Sequence, residues 1–486
     1  MFFLKDPNGL HPVGATRCVV PLREPIVAGN AKIPGQEEIG IRLEEVSFMI
    51  YYPANVPTGS QKYRLGLRWL TGPLQTEIAG LGHFAGVSRW IIWLILTPVL
   101  YVYGQFIKVP VYQDAPLLRP SEEGAKWSLM IFSHGLGGSA TTYSQFCVQL
   151  AASGRIVVAM EHRDGTMPSC IAPYNGRKRP LLYIKESEVT WGEKPQDILP
   201  LRVDQLTIRQ HEIYTTYEAF AKLVSGANED HDSEACINFV GDSSKQTGFK
   251  ETWSNAPIDV KDICLAGHSF GGCTMFSILS SKSPVGPRVE PYPRIPVRDT
   301  LILDPWLEPL PSPGPAPFSG AGVKNDNAAV TVNDELNENA EDNRRFPEDA
   351  TANNGPIGSR LLVINSEAFT LWTSHFDRLT EVVKGWGSDA KLITLLKAAH
   401  TSFSDYHVFP LVGNKASARL LGIISQLSLA FLDHSENDWP SKEVLKSTDV
   451  QVEILHTMPK KIVIGKWEDG RSRHRLDGEL GQVVIH

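Results

Sequence analysis

The sequence predicts an α/β fold, a mostly parallel central sheet with helices on both faces, and three observations carry that reading. Short continuous apolar runs recur at 129–132, 156–160, 263–266, 300–303, 361–364 and 392–396; strands buried on both faces look like this, whereas half-exposed strands alternate. Stretches between the runs carry helical spacing, as at Tyr143, Phe146, Cys147 and Leu150, so the order reads strand, helix, strand. The runs also lead into polar residues, among them Ser133-His134, Glu161-His162, Ser269, Asp304 and His400. Chemistry is thereby placed at the carboxyl ends of strands, where open α/β sheets hold their sites.

A length of 486 residues suits one large domain with insertions, or two domains. With 42% hydrophobic and 21% charged residues the chain can bury a sizeable core, which excludes wholesale disorder and a polytopic membrane protein. A net charge of -7 offers no basic surface for phosphates, so nucleic acid is not an expected partner. Six cysteines lie scattered with neither zinc-ligand spacing nor a disulfide framework, and no metal or cofactor is expected. The opening MFFLKDPNGLHP lacks the apolar core of a signal peptide. The expected location is therefore intracellular, in the cytoplasm.

Taken in order, VSFMIYY at 46–52, closed by Pro53, predicts an early strand. WIIWLILTPVLYVY at 90–103 is too short to span a bilayer and is interrupted by Pro98. Two readings stay open for it: a peripheral helix in a lipid interface, with Trp90, Trp93 and Leu94 as contacts, or a helix buried in the core. Residues 202–225 predict a long amphipathic helix, and the polar stretch 228–257 a loop. Residues 307–358, with PLPSPGPAP and a run of Asn, Asp, Glu, Ala and Gly, predict a disordered insertion. Residues 416–432 predict the last helix of a catalytic domain at 1–434. A weakly patterned extension at 435–486 follows, and its basic cluster Arg471, Arg473, His474 and Arg475 reads as a solvated face.

GHSFGG after the apolar run at 263–266 satisfies G-x-S-x-G, the elbow at which a strand turns sharply into a helix and presents a nucleophilic serine. Gly267 and Gly271 are required because side chains there would collide with the strand and helix that pack on the turn. A serine hydroxyl needs a base to take its proton and a carboxylate to orient that base. The order serine, acid, histidine, usual for the α/β-hydrolase fold, selects Ser269, Asp304 and His400, with Glu367 the next acid in rank. The oxyanion donors are the N–H of Phe270 and, from the Gly-rich turn SHGLGG, that of Leu136. His134 reads as a supporting residue of that turn. His162, Arg163 and Asp164 are expected to brace the site through hydrogen bonds.

SHGLGG, VVAMEHRDGT, IDVKDICLAGHSFGG, LDPWLEPL, INSEAF and HTSFSDY, in this order, resemble the platelet-activating-factor acetylhydrolases of the plasma and cytosolic type, group VII phospholipases A2. The resemblance runs from about residue 11 to 434, outside the insertion and the tail. It implies an α/β-hydrolase fold, the triad Ser269, Asp304 and His400, oxyanion donors at Leu136 and Phe270, and no calcium. It further implies hydrolysis of acetyl, short or oxidised sn-2 acyl groups of phospholipids, and docking on lipid surfaces through an apolar helix, for which 90–103 lies in the expected place. The insertion, the Pro305-Trp306-Leu307 run and the tail depart from the family pattern and bear on acyl-chain preference. Two other readings are a general carboxylesterase on small esters and a catalytically silent lipid-binding protein.

Overall fold

The computed structural model describes residues 1–56, 66–192, 197–225, 237–240, 252–253, 255–286, 290–318, 359–433, 452–466 and 472–486. Two long strands, β1 (Val13–Lys32) and β2 (Ile39–Pro53), open the main sheet as an antiparallel pair. They are followed by β3 (Trp127–Ser133), β4 (Arg155–Met160), β5 (Asn238–Val240), β6 (Ile258–His268), β7 (Val297–Leu303), β8 (Arg360–Ser366), β9 (Ala390–Leu395) and β10 (Val483–Ile485). The sheet runs β1-β2-β4-β3-β6-β7-β8-β9-β10, with β5 added on β1. From β4 to β9 every neighbouring pair is parallel, as six apolar runs separated by helical stretches predict.

Each apolar strand feeds two cores, because successive side chains point to opposite faces. Leu129, Ile131, Leu265, Ile302 and Val363 belong to one core, which α3 (Pro200–Val224), α4 (Phe270–Ser280) and α5 (Thr373–Gly385) cover. Met130, Phe132, Ala266, Leu301 and Leu362 belong to the other, under α2 (Ser144–Ala152) and α6 (Lys415–Asp433). An outlying helix, α1 (Leu74–Phe84), precedes residues 89–102. Full burial of a Leu, Ile or Phe side chain stabilises by roughly 1.5–3 kcal/mol, and both faces of β3, β6, β7 and β8 contribute.

Three expectations need correction. The stretch read as a loop at 228–257 contributes β5, paired with Arg17–Val19 of β1, and the fully buried Trp253, packed edge-on at 4.9 Å from Tyr52; the remainder, apart from 237, 252 and 255–257, lies outside the described residues. The proposed insertion begins later than 307. Leu307 and Leu310 are buried, Arg378 donates to the carbonyls of Leu307, Leu310 and Pro311, and the Phe318 N–H reaches the carbonyl of Leu279, so 307–318 packs on the domain through apolar side chains; 319–358 lies outside the described residues. The boundary at 434 does not hold for the whole tail, because β10 pairs antiparallel with β9, Ile393 opposite Ile485. Of the two readings left open for 90–103 the buried one fails, because residues 89–102 form a helical run that is not core. Among 92–102 no residue is buried, and Trp93 and Leu94 are 74% and 68% exposed. Its middle, Ile92–Leu96, is a π-helical segment in which the Thr97 N–H and Oγ1 both donate to the Ile92 carbonyl, a widening placed just before Pro98, which has no N–H to continue an α-helix.

Candidate active site

Ser269 sits between β6 and α4 at φ 57°, ψ -118°, a conformation that non-glycine residues adopt only when the surroundings impose it. The imposition comes from both sides. The Ser269 N–H donates to the Leu303 carbonyl at 2.9 Å, and its carbonyl accepts the Cys273 N–H at 3.0 Å. A Cβ at Gly267 would lie 2.4 Å from the Gly271 carbonyl oxygen, and one at Gly271 would lie 2.0 Å from that of Ser133. The two glycines let β6, α4 and the turn after β3 meet. Parallel register places Gly267 beside Ser133, which sets the nucleophile against SHGLGG.

His400 follows β9, and its Nε2 is 2.8 Å from Ser269 Oγ while its Nδ1 is 2.6 Å from Asp304 Oδ2. A carboxylate can only accept, so Nδ1 carries the proton and Nε2 turns its lone pair to the serine. Asp304, fully buried at the end of β7, is fixed by the Ser366 N–H at 2.6 Å and Ser366 Oγ at 2.7 Å. The His400 ring stacks on Phe369 at 4.3 Å and lies tilted against His268 at 4.6 Å. His268 Nε2 lies 3.0 Å from the His400 carbonyl and its Nδ1 2.8 Å from Tyr143 Oη, which in turn accepts the Gly135 N–H at 3.2 Å. Burial and the neighbouring His400 hold the His268 pKa well below its ordinary value. It is a neutral ring donating from Nε2, tying the base to the oxyanion turn.

Phe270 opens α4, where the first N–H groups have no carbonyl a turn behind them. In the turn after β3, the Gly135, Gly137 and Gly138 N–H groups donate to Tyr143 Oη, the Thr166 carbonyl and the Gly135 carbonyl. Among the described residues no hydrogen bond takes up the Leu136 N–H. Below the turn lies a buried polar cluster. Arg209 of α3, without solvent exposure, donates to Asp164 at 2.7 Å, to Thr166 Oγ1 at 2.6 Å and to the His134 carbonyl at 2.7 Å, and its guanidinium lies 4.5 Å from the centre of the Phe270 ring. One cation therefore touches the chain next to both candidate oxyanion donors. His162 bridges Ser133 Oγ at 2.7 Å and Glu212 at 2.5 Å. Burial lowers the pKa of His162 and of His134 and raises that of Glu212, while Arg209 helps to hold Asp164 at about 2. Arg209 and Asp164 pair inside the cluster and the groups around them are hydrogen-bonded, which lowers the cost of burying them.

A second network reaches the acid from the other side. With its amide oriented to satisfy its neighbours, Asn365 donates to Asp304 Oδ1 at 2.9 Å and accepts from Thr370 Oγ1 at 2.8 Å. Thr370 pairs with Thr394 at 2.8 Å, and Thr394 with His486 Nε2 at 2.8 Å. Glu367, ranked second as the acid, does not approach His400. Its two oxygens accept the N–H groups of Lys397 at 2.8 Å and Leu476 at 3.0 Å, so it joins the turn before the base to the C-terminal segment.

Ser269, Asp304 and His400 are thus brought together, Phe270 and Leu136 flank the serine, and His134 and His162 lie in the supporting layer with Arg163 and Asp164. Arg209, Glu212, Tyr143, His268, Asn365, Ser366 and Asp405 were not singled out from sequence. The usable signal was small: Arg209 and Glu212 interrupt the apolar face of α3 between Leu206 and Ile213, and Asp405 lies inside HTSFSDY. Asp405 is fully buried and accepts from Ser144 N, Ser144 Oγ, Gln145 N and Trp69 Nε1, clamping the segment after His400 to the start of α2.

A serine on a strand-to-helix elbow, with a carboxylate and a histidine supplied in that order by later strand ends, defines a serine-hydrolase-type site on an α/β-hydrolase fold. Residues 4–313 match the family described as platelet-activating factor acetylhydrolase, isoform II, and the chain belongs to that family. The platelet-activating factor acetylhydrolase of Gallus gallus is 25% identical over 328 residues, 64% of this chain and 62% of that one. Those of Canis lupus familiaris and Bos taurus are each 26% identical, over 79% and 83% of this chain and 70% and 77% of their own. Among solved structures, the ferulic acid esterase from Streptomyces cinnamoneus aligns over 92% of this chain and 97% of its own with a TM-score of 0.50 and 14% identity, a likeness of fold.

Proposed function

We propose that this chain is a calcium-independent serine esterase that removes the acetyl, short or oxidised acyl group from the sn-2 position of platelet-activating factor and related phospholipids. The observation that carries the reading is the hydrogen-bonded series Ser269, His400, Asp304, with 2.8 and 2.6 Å separations, in a chain of the family named above. His400 Nε2 takes the Ser269 proton as Oγ attacks the ester carbonyl, and the Leu136 and Phe270 N–H groups receive the negative charge that develops on oxygen. The proton then passes to the leaving lysophospholipid oxygen, and water, activated by the same imidazole, releases the acid. Asp304 holds the tautomer and stabilises the imidazolium. No step calls for a metal ion.

Peripheral docking from the cytoplasm is part of the proposal. Trp90, Trp93, Leu94, Ile95, Val99 and Val102 expose apolar surface in one helical run, and the exposed Leu411 and Val412 adjoin it because Tyr103 Oη donates to the Pro410 carbonyl. A patch of this kind on a soluble domain favours a lipid interface. The test is a hydrolysis panel of acetyl, oxidised short-chain and long-chain sn-2 phospholipids and a small soluble ester, each with and without EDTA. Preference for acetyl and short chains that survives EDTA is expected. Equal turnover of long chains would make it a general phospholipase, and activity that does not rise when substrate aggregates would make it a carboxylesterase.

A further inference from the structure

In a chain of net charge -7, cations gather on one hairpin. Lys461–Lys466 and Ser472–Leu476 pair antiparallel, Ile462 opposite Arg475 and Lys466 opposite Ser472. Lys460, Lys461, Lys466, Arg473 and Arg475 are exposed. So are the apolar Met458, Val463 and Ile464, at 41%, 63% and 48%. A merely solvated basic face gains nothing from exposed β-branched residues, whereas apolar tips interleaved with cations suit a bilayer bearing negative headgroups.

Position supports the same occupant. Leu476, the last residue of the hairpin, donates its N–H to Glu367, which also accepts the N–H of Lys397, in the turn that leads to His400. The hairpin therefore leaves the domain at the carboxyl edge of the sheet, beside the base. A bilayer presenting an ester to Ser269 lies against that edge, and the local positive charge complements its phosphates where the chain as a whole would be repelled.

We propose that this hairpin is a second lipid-contact element that selects anionic bilayers, an inference that rests on the phospholipid reading above. The test is sedimentation of the full chain with phosphatidylcholine vesicles and with vesicles containing phosphatidylserine, at low and high salt, beside hydrolysis of a soluble ester. Each cation near an anionic surface contributes on the order of fivefold in affinity. The wild type should bind the anionic vesicles at least tenfold more tightly, with the preference lost in high salt. Lys461→Gln/Lys466→Gln/Arg475→Gln should bind both vesicles alike, and Val463→Ser/Ile464→Ser should weaken binding to both, with soluble-ester hydrolysis unchanged in each. Equal binding of the wild type to both vesicles, a preference that survives the triple substitution, or salt-sensitive binding to duplex DNA without any gain on anionic vesicles would overturn the proposal. Failure of the phospholipid reading is separately visible, as soluble-ester turnover without hydrolysis of either vesicle.

Discussion

Beneath the turn that follows β3, charge is buried and matched; along residues 89–106, apolar surface stands open to solvent. Arg209 and Asp164 have no exposure and bind each other at 2.7 Å, whereas Trp93 is 74% exposed with no partner to cover it among the described residues. Both arrangements run against the ordinary distribution of residues, in opposite senses. The difference separates two tasks. In the proposed mechanism the buried cluster holds backbone donors in place for a charge that exists only during reaction, a task that calls for rigid, hydrogen-bonded supports. The open run can gain only from something beyond the described residues.

The sharpest break in the comparison comes from the chemistry itself. Ser269→Ala should lose on the order of 10⁴-fold or more in turnover and all labelling by a fluorophosphonate probe, with vesicle binding unchanged; a variant that still labels would remove Ser269 from its role. Next in size, Arg209→Met leaves Asp164 buried without its partner and should cost about 3–5 kcal/mol in denaturant unfolding. Loss of turnover without loss of stability would instead assign Arg209 a direct part in the reaction.

Smaller again, Trp93→Glu/Leu94→Glu removes two side chains that each gain roughly 1.5–3 kcal/mol on burial in lipid. Vesicle binding should weaken by at least about a hundredfold while soluble-ester hydrolysis and thermal unfolding stay at the wild-type level. An unfolded variant would place the run back in the core. The smallest effect concerns Asp405, whose pKa burial pushes up to about 7 in spite of its donors. A folded-state pKa raised above the ordinary value of about 3.9 means stability that is present below pH 4 and lost as pH rises toward 7. Asp405→Asn cannot ionise, so the stability difference between wild type and variant should narrow over that range. A difference that widens would show that the donors from Ser144, Gln145 and Trp69 favour the carboxylate.

Much of the site was legible because its parts are local. The elbow needs five residues in a row, and Asp304 and His400 each follow an apolar strand whose end marks the sheet edge. Arg209 and Asp164 meet only through tertiary folding, and nothing in either neighbourhood names the other. The strand Val483–Ile485 was missed because three apolar residues make no pattern until β9 offers an edge. β1 escaped for a different reason. Arg23, Glu24 and Pro25 break its alternation where the strand is exposed, and pairing with β2 lapses after Pro21 and resumes at Ile26, so the paired stretches on either side and not periodicity mark it as one strand. The run at 90–103 could not be placed at all from composition, since a core and a membrane interface select the same side chains.

The strand Val483–Ile485 has a consequence for the order in which this chain can be assembled during synthesis. Translation delivers Ser269, then Asp304, then His400, and only afterwards Leu476, which completes the bonding of Glu367, and His486, which ends the series through Thr394, Thr370 and Asn365 to Asp304. On the ribosome, the loop that carries the base emerges ahead of the segment that steadies it. An emerging chain therefore presents Ser269 before the bonds that steady Asp304 and the turn leading to His400 are complete.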